Sequence, residues 1–266
     1  LKTWDAVYEA DYPSCKWFVG GQTNLSYAAI DHQIARGRGG HTAFIYASEL
    51  GVREAVTYAQ LKRKVETVAA ALRGMGLKRG DRLTIYMPNC LETVYLMLAT
   101  VRIGAIHSIV FAGFGGPALA DRIRASGSRL VFTADIAFRK GGTVDLKKLA
   151  DDALALGCEA VEHCVVLKRT DGDMSLTAGR DVLWSDFLEK AKGNSGDYEA
   201  MESNEPAYIL ATSGTTATPK LVVHTHGGYP VGVVNQGRWC FGLNENDIWW
   251  ATSDLGWAVG HSYIVY

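Results

Sequence analysis

The stretch ATSGTTATPKLVVHTHGGY, residues 211–229, sets two hydroxyl pairs, a glycine and a lysine within a few positions, then runs into a β-branched segment and two histidines. Its flanks decide what it is. AYILAT (207–212) and KLVVHT (220–225) both read as strands, so SGTTATP (213–219) is the tight connection between them. Such a turn exposes backbone N–H and side-chain O–H donors, and its glycine lets an anion approach closely. A Walker-type cradle does not fit. Counted from Gly214, Pro219 stands where the second glycine belongs, Leu221 replaces the magnesium-binding hydroxyl, and no helix follows immediately. On composition alone an ordinary surface hairpin is the better reading, because Ser, Thr and Gly are common turn residues.

On the N-terminal side of this turn, strands and helices alternate, which predicts an α/β fold with a mostly parallel sheet flanked by helices. TAFIYA (42–47) and EAVTY (54–58) read as strands, and a helix is predicted over 59–75 with Thr57 as N-cap and an apolar stripe of Leu61, Val65, Val68, Ala69 and Leu72. RLTIYMP (82–88) is a buried strand and 90–104 a helix apolar on most sides. Strands at 105–112, 129–134 and 163–168 then alternate with helices at 116–126 and 144–156. Residues 170–179 read as a surface excursion and 193–196 as a flexible connector. The organisation expected is an N-terminal extension packed on the main domain (1–40), an α/β subdomain (41–200), and the hairpin with the start of a second α/β subdomain (201–266).

The 266 residues, 48% hydrophobic with a formal net charge of −1, fit a globular protein and show neither a basic face for nucleic acid nor an acidic tail. Five scattered cysteines, Cys15, Cys90, Cys158, Cys164 and Cys240, suit reduced thiols and a cytoplasmic location. The most apolar stretch, 91–109, is interrupted by Arg102 and His107 and falls short of the roughly 20 apolar residues of a membrane helix. Both ends read as cut. The chain opens on Leu1, and it stops inside the strand-like run HSYIVY, whose unpaired edge is an association hazard and makes a homo-oligomer an expectation.

Beyond composition, YILATSGTTATPKLVVHTHGGY resembles the phosphate loop of the adenylate-forming superfamily. More narrowly, KWFVGGQTNLSYAAIDHQI, GDRLTIYMP, RIGAIHSIVFAGF, ALADRI, GRDVLW and WWATSDLGWAVGHSYIVY resemble, in the same order, short-chain acyl-CoA synthetases of the acetyl- and propionyl-CoA synthetase type. The resemblance covers nearly the whole chain. It implies an AMP-forming ligase that joins a small carboxylic acid to CoA through an acyl-adenylate, using ATP, CoA and Mg2+.

By that resemblance Thr212, Ser213, Gly214, Thr215, Thr216 and Lys220 hold the β- and γ-phosphates of ATP, although Ala217 and Leu221 stand where the family has glycine. Arg139, Lys140, Gly141 and Gly142, with Gly113 of FAGF, match the segments that contact CoA, with the basic residue second rather than last. On charge alone, 138–148 reads as a solvated loop leading into a helix. Trp257, Ala258 and Val259 correspond to the Trp-Val-Thr that lines the acyl pocket and approaches the CoA thiol. By spacing alone Trp257 would be a core residue. Ala258 in place of valine implies a deeper pocket and favours propionate or a larger acid over acetate.

The family's adenine segment, ribose-binding aspartate, hinge and C-terminal lysine are absent, so no catalytic residue is assigned and the isolated chain is expected to lack complete catalysis. His224 with His226, and Cys158, His163 and Cys164, lack the further ligands of a zinc site and read as structural. Asn24-Leu25-Ser26 is a formal glycosylation sequon. Two alternatives stay open. An aryl-CoA ligase or peptide-synthetase adenylation domain would share the loop but not segments 17–20 and 139–142, and a non-catalytic ATP-binding module would bind nucleotide without turnover.

Overall fold

The computed structural model describes residues 1–212 and 220–266. The chain opens with the antiparallel hairpin β1 (Ala6–Asp11) and β2 (Ser14–Val19), then the short strand β3 (Gln22–Thr23) and two wide helical turns, Tyr27–Asp31 and Ile34–Arg38. A second antiparallel pair, β4 (Thr42–Ala47) and β5 (Arg53–Thr57), leads into α1 (Tyr58–Gly74). The predicted N-cap holds. Thr57 Oγ1 accepts the Gln60 N–H at 3.2 Å while the Gln60 side chain accepts the Thr57 N–H at 2.8 Å, a reciprocal capping box.

Alternation follows as expected: β6 (Arg82–Tyr86), α2 (Leu91–Arg102), β7 (Ile106–Ile109), α3 (Gly116–Ser126) and β8 (Leu130–Ala134). The next segment corrects the sequence reading. The helix predicted over 144–156 begins only at Leu146, because 136–145 forms a tight antiparallel hairpin, β9 (Ile136–Arg139) and β10 (Gly142–Asp145), whose turn residues Lys140 and Gly141 both have positive φ (51° and 78°). That is the backbone of a two-residue hairpin turn, and Gly141 suits it. Asp145 then caps α4 (Leu146–Leu154), accepting the Lys148 N–H at 2.8 Å. Beyond it come β11 (His163–Leu167), β12 (Asp181–Leu183), α5 (Trp184–Glu189), β13 (Met201–Glu202), β14 (Pro206–Thr212), β15 (Lys220–Thr225), α6 (Gly228–Trp239) and α7 (Ala258–Gly260), which runs on into a helical turn, His261–Val265.

Seven strands form one sheet in the order β12-β11-β8-β6-β7-β14-β15, parallel throughout except for β15, which pairs antiparallel with β14. Alternate strand residues feed two cores. Leu83, Ile85, Leu130, Phe132 and Val165 pack under α1 and α2, whereas Tyr86, Val131, Cys164 and Val166 pack under α3 and α4. The crossover after β6 thus leaves on one face and those after β7 and β8 on the other. In an open parallel sheet wound this way, the usual ligand position is at the carboxyl ends of the strands.

The N-terminal segment is tied down by polar contacts. β3 pairs with β13, and the buried Asn24 donates to the carbonyls of Val101, Arg102 and Glu199 at 2.9, 3.1 and 3.0 Å while its Oδ1 accepts the Ser26 and Tyr27 N–H groups. The sequon asparagine is therefore spent inside the fold. Arg102, 1% exposed, binds both carboxylate oxygens of Asp31 at 2.6 and 3.1 Å, Glu66 at 3.2 Å and the Gly196 carbonyl at 2.7 Å. Burial alone would raise the Asp31 carboxyl, but Arg102 and Lys62 outweigh it and hold it below its ordinary value.

The end of the chain gives a second correction. HSYIVY is helical, with His261 and Val265 buried, so it forms no sheet edge; the edge strands are β12 and β15, and on β15 Val222 and Val223 are exposed. All five cysteines are unpaired, and no described helix is long and apolar enough to cross a membrane.

Candidate active site

Four candidate segments leave the carboxyl ends of parallel strands. Thr212 ends β14, Gly113 follows β7, the β9–β10 hairpin with Arg139 follows β8, and Pro88-Asn89 follows β6. Tyr208 and Ile209 pair with His107 and Ser108, and continuing that register sets Thr212 level with Phe111. Across the hairpin Thr212 and Lys220 are direct partners, Thr212 Oγ1 donating to the Lys220 carbonyl at a long 3.4 Å, and both residues are exposed. Ser213, Gly214, Thr215 and Thr216, with Ala217, lie outside the described residues.

The segments expected to meet CoA and the acyl group come together on two aromatic rings. Arg139 places its guanidinium carbon 5.0 Å from the Phe111 ring centroid. Phe111 packs 5.6 Å from Trp257 and, edge-on, 5.7 Å from Phe114. Phe114 sits 6.3 Å from Trp257, with the Arg122 guanidinium 4.4 Å away on its ring. Gly113 is needed there for space, since a Cβ would collide with the Arg139 guanidinium and the Phe111 ring. Tyr86 reaches up from the sheet, donating its hydroxyl to the Phe114 carbonyl at 2.6 Å, and burial pushes its pKa up to about 12. The Phe111-Phe114 turn is thus anchored from beneath.

Trp257 is not the core residue its spacing alone suggested. It is 48% exposed, and Ala258 and Val259 beside it are also exposed. Lys140, Gly141 and Gly142 form the exposed tip of the β9–β10 hairpin. An apolar cleft of about 390 Å³ lies elsewhere, lined by Leu25, Phe44, Val233, Trp249 and Tyr263 among others, and holds none of the predicted site residues. The aromatic cluster is the better candidate, because it joins a guanidinium, glycine-permitted backbone approach and an exposed indole at the carboxyl edge of the sheet.

A family model described as AMP-binding enzyme matches residues 30–266. The chain belongs to that family. Over its full length the chain is 45% identical to the acetyl-coenzyme A synthetase of Deinococcus radiodurans, covering 41% of that protein. It is 45% identical to the 3-hydroxypropionyl-coenzyme A synthetase of Metallosphaera sedula over 99% of the chain and 40% of the relative. The corresponding synthetase of Sulfurisphaera tokodaii is 48% identical over 94% of the chain and 38% of the relative. The chain thus spans about two fifths of the length of these relatives.

Across the β14–β15 strands runs a stack of rings that has no counterpart in the sequence reading. Tyr208 lies between His224 at 4.5 Å and His261 at 4.6 Å and also stacks on His107 at 5.4 Å, while His107 Nε2 and the Tyr266 hydroxyl are 2.8 Å apart. Burial pushes the pKa values of His226 and His261 down to about 4 and that of His107 well below its ordinary value. His226 Nδ1 accepts the Leu25 N–H at 3.1 Å whereas His224 faces Tyr208, so the two are turned to different neighbours. Among the described residues no group of three or more His, Cys, Asp or Glu is placed to hold a metal ion.

Sequence reasoning also missed Phe111, Phe114, Asn89 and Asp254. The two phenylalanines flank Gly113 inside FAGF, a visible signal. Asp254 Oδ1 accepts the Gly256 N–H at 2.7 Å just before Trp257, and burial raises its pKa against the pull of that N–H and of Arg139.

Proposed function

We propose that the complete enzyme is an AMP-forming short-chain acyl-CoA synthetase. A carboxylate oxygen attacks the α-phosphorus of ATP, pyrophosphate leaves, and the CoA thiolate then displaces AMP from the acyl-adenylate. Carrying this reading is the gathering of Arg139, Gly113, Phe111 and Trp257 at the carboxyl edge of the sheet that ends in Thr212, within a chain similar over its whole length to acetyl- and 3-hydroxypropionyl-coenzyme A synthetases.

Each part has a physical task. Thr212, Ser213, Gly214, Thr215, Thr216 and Lys220 would neutralise the triphosphate tail with hydroxyls, amides and one ammonium. Arg139, resting on Phe111 beside Gly113, offers a guanidinium fork to a phosphate of CoA, with Lys140, Gly141 and Gly142 at the hairpin tip. Trp257, Ala258 and Val259 bound the acyl group and the thiol end of CoA. Mg2+ would take most of its oxygen ligands from the triphosphate and water, which suits a hairpin of neutral hydroxyls and one lysine. Alignment and charge neutralisation are what such transfers require of the protein.

Ala258 favours an acid larger than acetate, and the similarity to 3-hydroxypropionyl-coenzyme A synthetases supports a three-carbon acid. The division at residues 40 and 200, a cytoplasmic location and self-association, now through β15, belong to the same proposal. Carboxylate-dependent exchange of radiolabelled pyrophosphate into ATP by the full-length protein, followed by CoA-dependent AMP release, tests it. Exchange is expected with a higher kcat/KM for propionate than for acetate. Exchange without CoA-dependent turnover would favour an adenylation domain, and nucleotide binding without exchange a non-catalytic module.

A further inference from the structure

The loop that carries Trp257 is held by a side chain from a distant part of the sequence. Asn89 Nδ2 donates to the Ser253 carbonyl at 3.2 Å, and its Oδ1 accepts the Leu255 N–H at 3.0 Å. Both polar ends of one amide are thus spent on backbone groups two residues apart, 164 and 166 positions away in the chain. A single bond leaves a loop free to rotate about it. Two bonds from one planar group fix its orientation as well as its position.

The backbone from Asp254 to Trp257 has little freedom left. Asp254 Oδ1 takes the Gly256 N–H at 2.7 Å, and the Trp257 N–H donates to the Asp254 carbonyl at 3.1 Å. Leu255 is buried, and Gly256 rests on the turn after β7, where a Cβ would lie 2.7 Å from Phe111 Cα. Trp257 itself is half exposed, with the rings of Phe111 and Phe114 against it. The indole is therefore aimed mainly by the backbone that Asn89 grips.

We propose that Asn89 is a positioning residue of the acyl site, locking residues 253–257 so that Trp257 closes on the carboxylate substrate. This rests on the reading that Trp257 bounds the acyl pocket. The test is steady-state kinetics of full-length Asn89→Ala, Asn89→Asp and Asn89→Gln, with Trp257→Ala as control and thermal midpoints measured alongside. Loss of both hydrogen bonds should raise the KM for the short carboxylate about tenfold or more in Asn89→Ala, with the KM for ATP within about twofold of wild type.

Asn89→Asp turns the donor into an acceptor facing the Ser253 carbonyl and should do as badly. Asn89→Gln keeps both groups on a longer arm and should recover part of the loss. Equal rises in both KM values with a lowered thermal midpoint, or an unchanged carboxylate KM in Asn89→Ala, would overturn the proposal. If Trp257→Ala also leaves the carboxylate KM unchanged, the acyl-pocket reading falls with it. If only Trp257→Ala raises it, the role of Asn89 alone fails.

Discussion

Among single residues, Arg139 carries the most specific expectation. It stands on Phe111 and fills the space that a side chain at Gly113 would take, yet it is exposed and forms no ion pair in the described structure. An exposed guanidinium on an aromatic platform is available to a phosphate. Arg139→Ala is expected to raise the KM for CoA at least about tenfold and leave that for ATP nearly unchanged, since a charge-assisted bidentate contact is worth about 1.5–3 kcal/mol. Equal effects on both KM values would remove Arg139 from the CoA site. The resemblance made Arg139 and Gly113 legible, but not the residues that arrange them. Aromatics such as Phe111 and Phe114 look like core in a sequence, and a hydrogen bond spanning 164 positions, as from Asn89, has no local signature.

Elements were legible where their ends are chemically marked. α1 starts from a capping box at Thr57, and α3 occupies 116–126 as read, with Pro117 in its first turn and Gly127 at φ 62° closing it. The β9–β10 hairpin was not legible, because its strands are four residues each and its turn, Lys140-Gly141, sits in a basic stretch that reads as solvated charge. YIVY (263–266) has strand propensity, but the segment is a helical turn with Val265 buried in the main core and His261 buried against the Tyr208 and His107 rings.

That turn, β7, β14 and β15 enclose the ring stack, and its His261, together with the buried His226 just after β15, makes the hairpin's base sensitive to acid. His226 and His261 have pKa values near 4 when folded and about 6.5 when unfolded, so between these limits the unfolded chain binds more protons. Their neutral burial is fully tolerated above about pH 6.5, and stability falls as pH drops toward 4, by on the order of 3 kcal/mol for each. Glu205 opposes the shift at His226 and Arg79 reinforces it. Urea unfolding between pH 7.5 and 4.5 should show this decline, and His226→Asn should remove one histidine's share of it. A profile flat across that range would contradict the burial of these rings as neutral groups.

For the molecule as a whole, a parallel sheet with crossovers leaving on opposite faces gathers loops from β6, β7, β8 and β14 at one edge, and residues far apart in sequence become one site there. The α/β class was legible from the alternation of apolar runs. The strand order was not, since it depends on which faces the helices cover. The decisive measurement is a crystal structure of the full-length protein with MgATP and propionate. The β- and γ-phosphates are expected between Thr212 and Lys220, with the acid against Trp257. A triphosphate bound elsewhere, with that hairpin empty, would contradict the phosphate-cradle assignment and the chemistry built on it.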